Sequence, residues 1–320
     1  MRPERNELLA AAAETRFPAE TLEKVARLGE LAVEIGRHPL LAESLALKGG
    51  TALNLLAGVP PRLSVDLDFN VIGALEREEM LRIRPEIEAA VERIGRALGY
   101  RLQLSREAHA GRKIHLGYAD LFGAPNRIEV DLNFLNRQAL LEPIELPLWQ
   151  PAGAPRPRVR SMALEEIAAG KLCALLDRAA ARDLFDAPSL PLRLGEAWRG
   201  SRFRRLFVAT AGVLPRALDT YDRSRLERLS PALVEMQLRP VVPDDALPTV
   251  EDLRESAWQV VAPFVALDEA ETEFTKRLQR GELVPELLFP EDSEMVERLR
   301  RHPPLLWKAH NAREHSKKRT

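Results

Sequence analysis

Apolar residues recur at helical spacing near the start of the chain: Leu8, Leu9 and Ala12, then Leu22, Val25, Leu28, Leu31 and Ala32. That spacing predicts two amphipathic helices within residues 5–36, divided at Pro18, whose ring lacks the donor a helix interior needs. The pattern then shortens. Leu45-Ala46-Leu47 is a brief apolar run closed by Lys48-Gly49-Gly50, the signature of a strand ending in a glycine turn. A helix is expected from Thr51 through Leu56, with the Thr51 hydroxyl capping its free N–H groups. Residues 63–72 alternate as a strand, and residues 76–98 return to helical spacing through Met80, Leu81, Ile87, Val91, Ile94 and Leu98. Three further strand-like runs, 100–105, 113–118 and 127–134, are separated by turn-forming clusters such as Phe122-Gly123-Ala124-Pro125-Asn126. They read as a small meander with one buried face.

From residue 150 the texture changes. Residues 150–160 are rich in proline and arginine and predict an extended linker, with domains at 1–150 and 151–320. Beyond it nearly everything reads helical. Ser161 with Glu165 and Glu166 opens a helix through Cys173 and Leu176, and a proline-rich stretch at 240–248 divides this half again. The tail His315–Thr320 is expected to be disordered. There is no internal repeat, and 320 residues suit one large or two ordinary domains.

Composition narrows the chemistry. Hydrophobic residues are 45% and charged residues 30%, an ordinary globular balance. One cysteine, Cys173, excludes a disulfide framework and a multi-cysteine zinc site. The histidines, His38, His109, His115, His302, His310 and His315, show no metal-ligand spacing. A net charge of -1 excludes a uniformly basic nucleic-acid sleeve, although a local basic patch stays open. No apolar run approaches the ~18 residues a membrane span needs, and the amino terminus lacks a signal-peptide pattern. A cytoplasmic location without a membrane partner is the expectation. The basic residues are 39 arginines and 8 lysines, a bias that suits a GC-rich genome and makes each lysine the more informative.

The chemistry concentrates in Lys48-Gly49-Gly50-Thr51 and Ser64-Val65-Asp66-Leu67-Asp68-Phe69. Strand residues two apart share a face, so Asp66 and Asp68 project together. Adjacent carboxylates repel unless a cation lies between them, and hard oxygen ligands suit Mg²⁺, with Mn²⁺ as a substitute. Gly49, Gly50 and Thr51 offer backbone N–H groups that suit a phosphate. Together these describe a nucleoside triphosphate (NTP) held beside a metal. Asp131, in Arg127–Phe134, is the candidate third carboxylate, for the metal and for deprotonating an acceptor hydroxyl. Glu129 shares its face and is the substitute. An Asp-x-Asp pair and a glycine pair each also occur at ordinary surfaces and turns; the combination favours nucleotidyl transfer.

Leu47–Leu53 followed by Arg62–Phe69 closely resembles the AbiEii/AbiGii-type abortive-infection toxins of the polymerase-β-like nucleotidyltransferase superfamily. Lys171–Arg178 with Arg182–Asp186, and more weakly His302–Lys308, extend the resemblance over roughly residues 40–310. The superfamily pattern often has Gly-Ser where this chain has Gly50-Thr51, and threonine keeps the hydroxyl. The resemblance implies an α+β fold: a polymerase-β-like nucleotidyltransferase domain with a largely helical C-terminal domain completing the nucleotide and acceptor site. It implies a phage-defence toxin paired with an antitoxin encoded nearby. It also implies transfer of a nucleotide from an NTP, with tRNA 3′ ends or another RNA as the acceptor and translation as the target. Ser64 is then a nucleotide contact, or the residue an antitoxin phosphorylates; a strand-start serine bonding locally is the plainer alternative.

Within that resemblance Lys171 is the candidate for neutralising the triphosphate. If residues 163–186 form one helix, Lys171, Arg178 and Arg182 fall within roughly 40° of each other. Asp183 and Asp186 would hold Arg182 or Lys171, or bind the nucleotide edge, and Arg62 is a weaker phosphate candidate. A solvated, salt-bridged helix face explains the same spacing. Residues 199–228 carry eight arginines and a net charge of +5, suited to an RNA backbone or to a solvated helix face. Trp198, Phe203 and Phe207 read as core ahead of base-stacking platforms. Two rivals share the motifs: a nucleotidyltransferase modifying a protein or small molecule, of the antibiotic-inactivating type, and a nucleotide-binding regulatory module.

Overall fold

The computed structural model describes residues 3–55, 60–106, 108 and 110–317, so His109 and the expected helix end at Leu56 lie outside the described residues. The chain forms two compact units, one of Met1–Met162 with Leu238–Leu247, the other of Ala163–Gln237 with Pro248–Thr320.

The first unit is built on a seven-stranded mixed sheet in the order β3-β4-β5-β2-β1-β7-β6. Its strands are β1 (Leu45–Lys48), β2 (Asp66–Val71), β3 (Arg101–Leu104), β4 (Gly111–Ala119), β5 (Pro125–Asn133), β6 (Ile144–Pro147) and β7 (Arg158–Ser161). Its helices are α1 (Arg5–Thr15), α2 (Ala19–Arg37), α3 (Pro39–Ser44), α4 (Gly49–Leu55) and α5 (Arg77–Ala97). β3, β4 and β5 form the expected antiparallel meander, and β5 runs parallel to β2. Period-two alternation gives the sheet two chemistries. Leu67 and Phe69, Ile128, Val130 and Leu132, and Ile114 and Leu116 are buried. Gly95 of α5 packs there so closely that an added Cβ would lie 2.7 Å from Leu116 Cδ2. The alternate positions carry charge.

Three expectations are corrected in this unit. Residues 150–160 are not a free linker: β7 pairs antiparallel with β6 and parallel with β1, carrying the unit to Met162. The proline-rich stretch after Leu238 returns to it, where the Val241 carbonyl accepts from Leu63 N–H at 2.6 Å and the Pro240 carbonyl from Thr21 Oγ1 at 2.6 Å. Thr51 is no helix cap. It lies inside α4, fully buried, and its hydroxyl turns to β2.

The second unit is helical: α6 (Leu164–Arg178), α7 (Ala181–Asp186), α8 (Leu190–Leu194), α9 (Ser201–Ala211), α10 (Pro231–Leu238), α11 (Val250–Val265), α12 (Glu269–Gln279), α13 (Ser293–Arg300) and α14 (Pro303–Lys317). Trp198, Phe203 and Phe207 gather around Phe264 with ring centroids 5.0–5.6 Å apart; Phe203 and Phe207 are core, as expected, and Trp198 is partly exposed at its edge. Helix α14 runs through Lys317, which corrects the expected disorder of the tail at 315–317; residues 318–320 lie outside the described residues. Among the described residues no helix is long and apolar enough to cross a membrane.

Candidate active site

The charged face of the sheet carries two cross-strand rows. In one, Lys48 of β1 stands beside Asp68 of β2, Asp68 beside Asp131 of β5, and Asp131 beside Lys113 of β4. In the other, Asp66 stands beside Glu129 and Glu129 beside His115. Asp66 and Asp68 thus share a face, and the parallel register of β2 with β5 brings Asp131 next to Asp68.

The turn between β1 and α4 is shaped around this pair. Gly49 has φ +73°, and a Cβ there would lie 2.4 Å from Asp68 Oδ2. Both the backbone angle and the carboxylate exclude a side chain at this position. Thr51 donates its hydroxyl to the Asp66 carbonyl, and Ser64 Oγ lies 3.0 Å from the same hydroxyl oxygen. Helix α4 is thereby pinned to the first residue of β2, and Ser64 faces inward, nearly buried. Arg62 is buried, with Nη1 donating to the Leu63 carbonyl at 2.9 Å, so its guanidinium is turned into the fold and the phosphate role expected for it is corrected.

Asp131 has a competitor for its charge. Lys113 Nζ lies 2.5 Å from Glu129 Oε1 and 3.5 Å from Asp131 Oδ2, and His115 Nδ1 lies 3.2 Å from Glu129 Oε2. Burial pushes the Asp131 carboxyl above the usual range and Asp68 adds to the effect, against the pull of Lys113 and Lys48. The hydrogen bond to Glu129 raises Lys113. Lys24 of α2 is pulled down by burial, with Asp66 opposing that shift. Asp66 and Asp68 offer hard oxygen donors of the kind Mg²⁺ or Mn²⁺ takes. Among the described residues no three carboxylate, histidine or cysteine side chains cluster closely enough to hold one ion, and the third acid lies 3.5 Å from an ammonium.

Lys113, His115 and Lys24 were missed as site residues by the sequence reading. The signal for the first two was present. Lys113 and His115 are two apart on a strand, and the hairpin is symmetric about Phe122, which pairs 113 with 131 and 115 with 129.

The second unit separates the expected cationic stripe. Ala179 adopts a left-handed conformation, φ 50°, and ends α6, so Arg182 falls on α7 and leaves the line of Lys171 and Arg178. Lys171 Nζ lies 2.7 Å from Asp186 Oδ2 and 3.8 Å from Asp183 Oδ1. Arg178 grips Asp183 through both Nε, at 2.6 Å, and Nη2, at 2.9 Å. Asp183 and Asp186 therefore hold Lys171 and Arg178, and Lys171 and both acids are buried. The basic region is largely spent within the unit. Arg204 binds Glu271, Arg223 binds Glu251 and Glu255, Arg202 binds Asp292, Arg225 donates to the Leu176 carbonyl, and Arg216 lies over Tyr221.

The family model for the nucleotidyl transferase AbiEii toxin of Type IV toxin–antitoxin systems matches residues 35–251. The chain belongs to the AbiEii family. Both carboxylate rows, the Gly49 turn and the Lys171 network lie within the matched AbiEii span. Among solved structures, MenT4, a nucleotidyltransferase toxin from Mycobacterium tuberculosis, is 21% identical with a TM-score of 0.61, covering 94% of this chain and 99% of its own. That likeness shows the α+β fold. A crystal structure from H. pylori, described as a candidate nucleotidyltransferase, is 18% identical with a TM-score of 0.37, covering 93% and 96% of the two chains. No curated protein matches this chain. AbiEii membership makes the chain a nucleotidyltransferase toxin of a toxin–antitoxin system, with an NTP substrate and an antitoxin partner.

Proposed function

We propose that this AbiEii toxin transfers a nucleoside monophosphate from an NTP to the 3′ end of tRNA, releasing pyrophosphate, and so blocks translation in phage defence. The observation that carries the transfer reading is the register of Asp66 and Asp68 with Asp131 beside the Gly49 turn. In this reading Asp66 and Asp68 hold a Mg²⁺ or Mn²⁺ ion and Asp131 takes the proton of the attacking hydroxyl. The ion, when bound, supplies positive charge against the α-phosphate. The backbone of Gly49 and Gly50 lies against the nucleotide phosphates. Thr51 and Ser64 support Asp66 from behind. Lys171, preset by Asp183 and Asp186, is assigned to phosphate charge.

The acceptor part of the reading rests on the family resemblance. Arg199, Arg205 and Arg228 add support as cations of the basic region that make no ion pair among the described residues. The test is to incubate the protein with Mg²⁺, each labelled NTP in turn, and total bacterial tRNA. Label at tRNA 3′ ends with one NTP is the expected result. Label on protein or small molecules instead would move the acceptor to another class, and NTP binding without incorporation would favour a regulatory module.

A further inference from the structure

We propose that Lys113 is a resident cation of the carboxylate rows: its ammonium occupies the flank of Asp131, competes there with a divalent ion, and sets the concentration at which the site loads. The inference rests on the transferase reading above. Lys113 is the direct ladder partner of Asp131, which is the direct ladder partner of Asp68. Two neighbouring carboxylates need positive charge nearby, and here a lysine supplies it. The ammonium is anchored on Glu129 at 2.5 Å and reaches Asp131 at 3.5 Å. His115 Nδ1 lies 3.2 Å from the other oxygen of Glu129.

The acid that would be the third ligand is engaged by an ammonium. For Asp131 to turn to an ion held by Asp66 and Asp68, Lys113 must withdraw. It has a place to go, since Glu129 is the nearer partner, and its half-exposed side chain can move on a flexible stem without a backbone shift. Lys113 is thus a positioning residue acting through Asp131.

The experiment is a titration of the full chain with Mn²⁺ alone, following the free ion by electron paramagnetic resonance. Lys113→Met should bind Mn²⁺ about three- to fivefold more tightly than wild type, the scale of a partly exposed ion pair. Lys113→Arg, which keeps the charge, should bind like wild type. Damage to the fold loosens binding and does not tighten it, so a merely structural lysine cannot produce the expected result. If Lys113→Met does not fold, Lys113→Gln carries the same test. Equal or weaker binding by the neutral variant overturns the proposal. Asp66→Asn separates the two failures. If it loses Mn²⁺ while Lys113→Met matches wild type, only the Lys113 proposal falls. If Asp66→Asn binds like wild type, the transferase reading falls and takes this proposal with it.

Discussion

Gly49 and Asp68 meet so closely that a methyl group on the glycine would lie 2.4 Å from the carboxylate oxygen. At φ +73° the backbone is itself in the region that disfavours a side chain, at about 1–2 kcal/mol. Gly49→Ala therefore carries two penalties, and the second falls on the site. Gly123 provides the comparison, with φ +84° and open space where a Cβ would go. Gly123→Ala should lose about 1 kcal/mol in denaturant unfolding and Gly49→Ala at least as much, and only Gly49→Ala should lose nucleotide transfer. Equal transfer by the two would show that the Asp68 contact is dispensable.

Thr51 gives a separable test of how β2 is positioned. Its buried hydroxyl donates to the Asp66 carbonyl, so Thr51→Val removes that buried hydrogen bond at a cost of about 1–3 kcal/mol. Thr51→Ser keeps the donor and should stay within about 1 kcal/mol of wild type. Chemical denaturation of the two variants measures the difference.

The buried ion network of the second unit should respond unequally to its two cations. Lys171→Met removes the ammonium from the buried Asp186 carboxylate, while Asp183 keeps Arg178, and should lower stability by about 3–5 kcal/mol. Arg178, whose side chain is 64% exposed, contributes through a screened pair, and Arg178→Met should lower it by about 1 kcal/mol or less. A comparable loss in both would mean that burial does not govern this network.

Much of the site was readable before the structure. Alternation in 63–72 and 127–134 put Asp66, Asp68 and Asp131 on strand faces, and the glycine pair marked the tight turn. What escaped depended on contacts distant in sequence. Thr51 had the spacing of a cap, but its partner is a carbonyl of the neighbouring strand. The break at Ala179 has no glycine or proline at that residue to announce it, because an alanine takes the left-handed angle. The return of Leu238–Leu247 to the first unit is made by bonds from the Leu63 N–H and the Thr21 hydroxyl to its backbone carbonyls, which leave no local trace. Lys113 was visible in principle, since the hairpin fixes its register against Asp131.

His302 should make the protein sensitive to mild acid. Burial lowers its pKa from 6.5 to about 4, so the folded chain keeps it neutral where the unfolded chain binds a proton. With the group depressed on folding, stability is full above pH 6.5 and declines as pH falls toward about 4. The loss attributable to this group reaches about 3 kcal/mol. His302→Gln should flatten the dependence of Tm on pH between those limits; an unchanged slope would place the acid sensitivity elsewhere.

The central claim is that Asp66 and Asp68 together carry nucleotidyl transfer. The most direct measurement is pyrophosphate release and label incorporation by Asp66→Asn and Asp68→Asn beside wild type, with melting curves of all three. Each substitution removes a charge from a half-exposed strand face and leaves the apolar side of β2 untouched. The expected result is transfer reduced to below about one-hundredth of wild type in both, with Tm preserved. Transfer near the wild-type rate in either folded variant would contradict the account.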